Sequence, residues 1–177
     1  MRITTLSILI LGCISFVFMA CSENDLVPPV SVTEAKAMGD AARSSIKDQV
    51  DFARPNLGAS KSWTNTAQTV IVSGTAENTA QKKTINATIK MTNFLLSGEV
   101  WTATGEATYV YNANVNNDES TTTYTGTLRL VNSTTNYLLT LRNLVIDVRQ
   151  DAESGDLTTT INGGISIDGF SYSWPKN

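Results

Sequence analysis

The stretch Val100-Trp101-Thr102-Ala103-Thr104-Gly105-Glu106-Ala107-Thr108-Tyr109-Val110-Tyr111-Asn112 alternates with a period of two. Trp101, Ala103, Gly105, Ala107, Tyr109 and Tyr111 fall on one side of an extended chain, and Thr102, Thr104, Glu106 and Thr108 on the other. Successive side chains of a strand point to opposite faces, so this stretch reads as a strand with one apolar and one threonine-rich face. That is the pattern of an antiparallel sheet wet on one side.

The same period runs from about residue 66 to the C-terminus, where Thr, Val, Ile and Tyr are frequent. Further strands are expected at about 68–76, 83–95, 121–131, 137–149, 157–167 and 170–174. The polar segments between them, 77–81, 112–119, 132–136 and 150–156, suit hairpins and leave no room for crossover helices. Side-chain parity refines the pairing. A two-residue turn at Asp168-Gly169 sets Ile167 opposite Phe170 and Ile165 opposite Tyr172, keeping apolar residues on one face. A two-residue turn at Ser97-Gly98 would instead set Met91 against Thr104 and Ile89 against Glu106, so a bulge or longer loop is expected between Thr92 and Gly98. Tyr137, Leu139, Leu141 and Leu144, Ile146, Val148 are out of phase, which places another bulge near Arg142-Asn143. Gly74 and Gly105, both within strands, point to a strongly curved sheet.

Upstream of the strands the period changes to that of a helix. Ser31-Val32-Thr33-Glu34 has capping-box spacing, and Val32, Ala35, Met38, Ala42, Ile46, Val50 and Ala53 form an apolar stripe. Arg54-Pro55 ends the helix, because a proline disfavours helical geometry in the residue before it. The stripe is alanine-rich and the charges on the other side alternate in sign, so the helix is expected to pack on its own domain rather than lie on a membrane. The expected fold is mainly β: a curved antiparallel sheet of about seven strands, open or a partial barrel, with one N-terminal α-helix packed on it.

The first twenty residues have the make-up of an export signal, with Arg2 followed by an apolar run from Ile3 to Phe18 that is too short for a comfortable membrane span. At its end stands Phe18-Met19-Ala20-Cys21, followed by the polar Ser22-Glu23-Asn24-Asp25. This resembles the lipobox of bacterial lipoproteins. A second candidate, Ile10-Leu11-Gly12-Cys13, would leave the apolar Ile14 to Met19 on the mature chain, which favours Cys21. The resemblance implies cleavage after residue 20, lipid on Cys21, and a membrane anchor in the cell envelope. Ser22 after the cysteine resembles lipoproteins sorted to the outer membrane of a diderm bacterium. On this reading residues 1–20 are the signal peptide, 21–30 the lipidated cysteine and a tether stiffened by Pro28-Pro29, and 31–177 a single helix-plus-β domain.

Composition narrows the function. Cys13 and Cys21 are the two cysteines, both at the N-terminus, so the domain has no disulfide and depends on an ordinary core. The whole chain carries a net charge of −3; without Arg2 it has 12 basic against 16 acidic groups, a poor match for nucleic acid. Histidine is absent, which removes the commonest general base and zinc ligand. No nucleotide loop is present, and no cofactor is expected.

Two runs gather hard oxygen ligands, one of Asp147, Asp151, Glu153 and Asp156, the other from Asn112 to Glu119. Neither has the spacing of a calcium loop, and both read as hairpin tips. Carboxylate catalysis would need convergence among Glu99, Glu106, Asp147 and Asp156. Trp101, Tyr109 and Tyr111, with Phe170, Tyr172 and Trp174, are either core or a face on which a ligand ring stacks. The sequence therefore points to a non-catalytic envelope lipoprotein with a structural or interaction role. Its expected partners are the membrane, through the lipid on Cys21, and a glycan, small ligand or envelope protein.

Overall fold

A computed structural model describes residues 27–173 except 59, 60, 99 and 152. The signal run, Cys21, Glu99 and Trp174 lie outside the described residues.

Helix α1 spans Val32–Ala53, with Ser31 as its N-cap: the serine Oγ accepts a hydrogen bond from the Glu34 N–H at 3.2 Å, satisfying one of the amides that a helix start leaves without a partner. A 3-10 turn at Arg54–Asn56 follows. Eight strands then run in order: β1 (Ser62–Thr64), β2 (Val70–Asn78), β3 (Lys82–Leu95), β4 (Thr102–Asn114), β5 (Glu119–Val131), β6 (Asn136–Gln150), β7 (Leu157–Ile167) and β8 (Phe170–Ser173). Each pairs antiparallel with its sequence neighbour, giving one open meander in the order β1 to β8. Among the described residues the fold is thus mainly β with a single α-helix ahead of the strands, as the periodicities require. The sheet has eight strands rather than seven. The extra one, β1, is three residues long, too short to show a period.

Register carries the apolar residues onto one face from strand to strand. Val72, Ile89, Ala107, Gly126, Leu141, Ile165 and Tyr172 form one unbroken cross-strand row from β2 to β8. The Asp168-Gly169 hairpin pairs Ile167 with Phe170 and Ile165 with Tyr172 as parity demands. Asp168 and Gly169 have φ of 49° and 88°, the positive values that a two-residue hairpin turn uses. Register shifts fall between Met91 and Phe94 in β3 and at Arg142–Val145 in β6, where the change of phase located them. Asn93 and Asn143, at these bulges, also have positive φ, which asparagine tolerates better than most residues.

Two glycines explain how so long a sheet can curl. Gly74 and Gly105 have φ of +143° and +148°, and a β-carbon would lie 2.0 Å from the Asn86 carbonyl oxygen at the first and 2.3 Å from that of Thr127 at the second. No other residue fits such a backbone or so close an approach. Gly126 repeats the arrangement on β5.

The concave face created in this way is covered by α1, which packs on β1 to β4 and β6 to β8 and reaches Tyr124 of β5 through Arg43. Ala35, Gly39, Ala42 and Ala53 let the helix backbone come close, while Met38, Ile46 and Val50 fill the space between; all are buried. Val32, expected on this stripe, is 66% exposed, because the first turn overhangs the edge of the sheet. Two hydrogen bonds fix the helix in place. Buried Ser45 accepts from the Ser97 N–H at 2.9 Å, and the Tyr172 hydroxyl donates to the Val30 carbonyl at 3.0 Å. The helix therefore starts at β8 and crosses the strands.

Met38 and Ile46 are 1% and 0% exposed. Met38→Asp or Ile46→Asp places an unpaired charge in the core and should cost on the order of 3 kcal/mol each. Urea unfolding checks this, and an unchanged midpoint in both variants would mean that the helix does not hold the sheet.

Candidate functional site

The aromatic residues divide by depth. Trp101 and Tyr109 are 6% and 3% exposed, so their rings belong to the core and offer no face to a ligand. Trp101 leans on Tyr137 with ring centroids 5.6 Å apart, and Tyr109 meets Tyr124 edge to face at 5.4 Å. Tyr172 is buried and Phe170 half-buried. Tyr111 is the member of the expected stacking face that stays half-exposed.

Burial raises the pKa of both core phenols. Tyr124 is pushed up to about 12, chiefly by desolvation, while Arg43 of α1 pulls the other way through its charge and a hydrogen bond. Tyr109 is pushed further by its own burial and by the Tyr124 ring, with a hydrogen bond from Thr122 in opposition. Arg43 also reaches Asp40 at 3.1 Å, and its Nε is buried without a hydrogen-bond partner.

The carboxylates lie mostly on the outside. Glu106 is exposed on the convex face between Lys90 and Thr127. Asp147 accepts a 2.7 Å hydrogen bond from the Thr121 hydroxyl. Asp151 is fully exposed, and the backbone N–H groups of Ser154 and Glu153 hold its carboxyl below the usual range. Its oxygens shape the β6–β7 turn, just as the Asn114 side chain accepts from the Asn116 N–H in the β4–β5 turn. Among the described residues no group of three acidic, histidine or cysteine side chains is placed to hold a metal.

An open site follows from a mismatch of lengths. The 22-residue helix is ~33 Å long, enough to cross the sheet, but only ~10–12 Å wide. Strands β4 to β6, of 13, 13 and 15 residues, run for ~44 Å or more. One helix cannot cover them. The core accordingly thins out along the row Ala76, Ile85, Tyr111, Thr122, Ile146, Ile161, where all but Ile85 are half-exposed. The next pairs outward on that face are Ala113 with Ser120 and Ser120 with Val148.

At this distal end lies a cavity of about 590 Å³ lined by Gln81, Lys82, Asn112, Ala113, Asn114, Asn116, Glu119, Ser120, Thr121, Val148 and Arg149. Lys82, Asn114 and Glu119 stand side by side across β3, β4 and β5, on the face opposite to Ala113, Ser120 and Val148. The lining is drawn from both faces of the strand ends and mixes exposed polar groups with the small apolar Ala113 and Val148. The Asn112 to Glu119 run was visible in the sequence as a set of oxygen ligands; Gln81, Lys82, Thr121 and Arg149 were not, since only the register brings them to it. Comparison with protein-family models, curated proteins and solved structures finds no match for this chain.

Both phenols favour the folded state in their neutral form. Their folded values lie above the ordinary 10, so the stability they contribute is intact below pH 10 and is lost as the pH rises toward 12. The expected fall is about 1.4 kcal/mol per pH unit for each phenol across that window. Denaturant midpoints measured from pH 9 to 12 should drop, and Tyr124→Phe should flatten the drop; equal slopes in parent and variant would contradict this account.

Proposed function

We propose that this chain is a non-catalytic lipoprotein of the cell envelope, anchored through lipid on Cys21, in the outer membrane of a diderm bacterium, and acting by interaction. The observation that supports the reading is how close to Cys21 the chain is already packed into the domain. Val30 is already 6% exposed and tied by its carbonyl to Tyr172 of the last strand. Only eight residues lie between Cys21 and Val30, so an anchored domain would be held within ~30 Å of the bilayer. A chain that is folded from residue 30 onward and carries a lipobox-like sequence immediately before it has the layout of a short-tethered lipoprotein. Among the described residues no helix is long and apolar enough to cross a membrane, so attachment in this reading falls to the lipid.

The interaction role is supported by the open distal end of the sheet, whose cavity offers hydrogen bonds but pairs no nucleophile with a base. Glu106, on the convex face, and Asp147, bonded to Thr121, are placed as surface groups.

Cys21→Ser in the producing bacterium should move the protein from the membrane to the soluble fraction on ultracentrifugation. Retention of the variant in the membrane fraction would overturn the lipid anchor.

A further inference from the structure

The outer edge of β7 is only partly paired. β8 meets Gly164 to Ile167, and among the described residues nothing pairs with the outer side of Leu157-Thr158-Thr159-Thr160-Ile161-Asn162. The Asp168 N–H donates to the Leu138 carbonyl and the Asp156 carbonyl accepts from the Asp151 N–H, so the even-numbered residues of β7 turn their backbone groups toward β6. Those of Leu157, Thr159 and Ile161 therefore point outward. A row of outward N–H and C=O groups is a template for another strand, and sheets guard such edges with charge, proline or a bulge. This stretch has none of the three and is rich in β-forming threonine. The opposite edge is guarded: where β1 stops, β2 carries Glu77 and the bend at Gly74.

We propose that two copies of the chain pair through this edge, β7 antiparallel to β7, about a twofold axis at Thr159. The pairing does not depend on the lipid anchor. Side-chain parity selects both the partner and the axis. On the concave face the distal row from Ala76 to Ile161 runs out at the edge, with Ile161 half-exposed. The axis sets Leu157 of the second copy, 62% exposed in the single chain, directly beside Ile161, so the apolar row continues across the junction.

On the convex face the axis sets Thr158 beside Thr160 of the second copy. Arg149 lies next to Thr158 and Asp147 next to Thr160, so each row across the junction has a cation at one end and a carboxylate at the other. Moving the axis to Thr160 would set Leu157 beside Gly163 and place Asp147 at both ends of one row. Moving it to Thr158 would set Leu157 beside Thr159 and lose the apolar match. The paired stretch, Leu157 to Ile161 in each copy, leaves β8 outside it. A twofold contact is self-complementary and closed, so association stops at two.

The test is cross-linking of the full chain in the producing bacterium. Across a hydrogen-bonded antiparallel pair the Cα atoms are ~5.5 Å apart, within the ~4.4–6.8 Å that a disulfide spans. Thr159 would face its own copy at that distance, whereas the two Thr158 positions would stand ~8 Å apart. Thr159→Cys, Thr158→Cys and, in mid-sheet, Thr108→Cys, all at exposed positions, are oxidised with copper phenanthroline, and the parent chain with its own cysteines sets the background. Thr159→Cys should give a disulfide-linked dimer about fivefold or more above the other two. Adding Leu157→Pro should cut that band about fivefold, because it removes an outward N–H and the exposed leucine. Proline is tolerated at the first residue of a strand, so the melting temperature should hold; if it falls, Leu157→Lys takes its place. A Thr159→Cys band no stronger than the parent's, one matched by Thr158→Cys or Thr108→Cys, or one indifferent to the change at Leu157 would overturn the pairing. Occupation of the edge by residues beyond Ser173, or by a strand of another protein, gives the first of these outcomes.

Discussion

A curled antiparallel sheet has one face that water must not reach, and in this chain α1 is what keeps water out. The meander supplies no second sheet, and its strands alternate too strictly to hide their apolar side chains any other way. Everything else in the architecture serves that contact. Alanines at 35, 42 and 53 and Gly39 set the distance of closest approach, and Met38, Ile46 and Val50 fill what remains. Ser45 and Val30 anchor the middle and the start of the helix to the β3–β4 loop and to β8. The in-strand glycines let the sheet bend far enough for strands as distant as β2 and β7 to touch the same helix.

The open end is the geometric remainder of that arrangement. A single helix laid across long strands covers a band, and what lies beyond the band is half-buried aliphatic surface grading into polar strand ends. Stability and site are thereby separated along the strands. Rows near the helix carry 0–3% exposed side chains such as Val72, Ile89 and Tyr109, while the distal rows carry amides, hydroxyls and charges that cost little to expose. Substitutions at the distal end can vary without disturbing the core.

Much of this was legible in the residues, and the physical reason is periodicity. A period of two with one apolar face defines strands, and parity across a hairpin tests their pairing, so the bulges in β3 and β6 and the Asp168-Gly169 turn could be placed from side chains alone. The capping serine and proline delimited the helix to within a residue. What escaped had no local signal. β1 is three residues long, Val32 keeps the helical phase yet overhangs the sheet, and Trp101 and Tyr109 carry the same alternation whether a helix covers them or water does. The cavity depends on which strand ends stand side by side, a property of register summed over four strands.

The Val30–Tyr172 hydrogen bond joins positions 142 residues apart, one just before α1 and the other in β8. The hairpins of the meander need only short loops to close, so they can form as soon as each pair of strands is available. The helix comes first but is marginal by itself, since helices of this kind owe their stability to packing. A chain delivered N-terminus first, whether from a ribosome or through an export channel, therefore holds its helix in reserve until β8 arrives. The clasp works as a completeness check: a polypeptide truncated before Tyr172 has strands and a helix but no latch to bring them together.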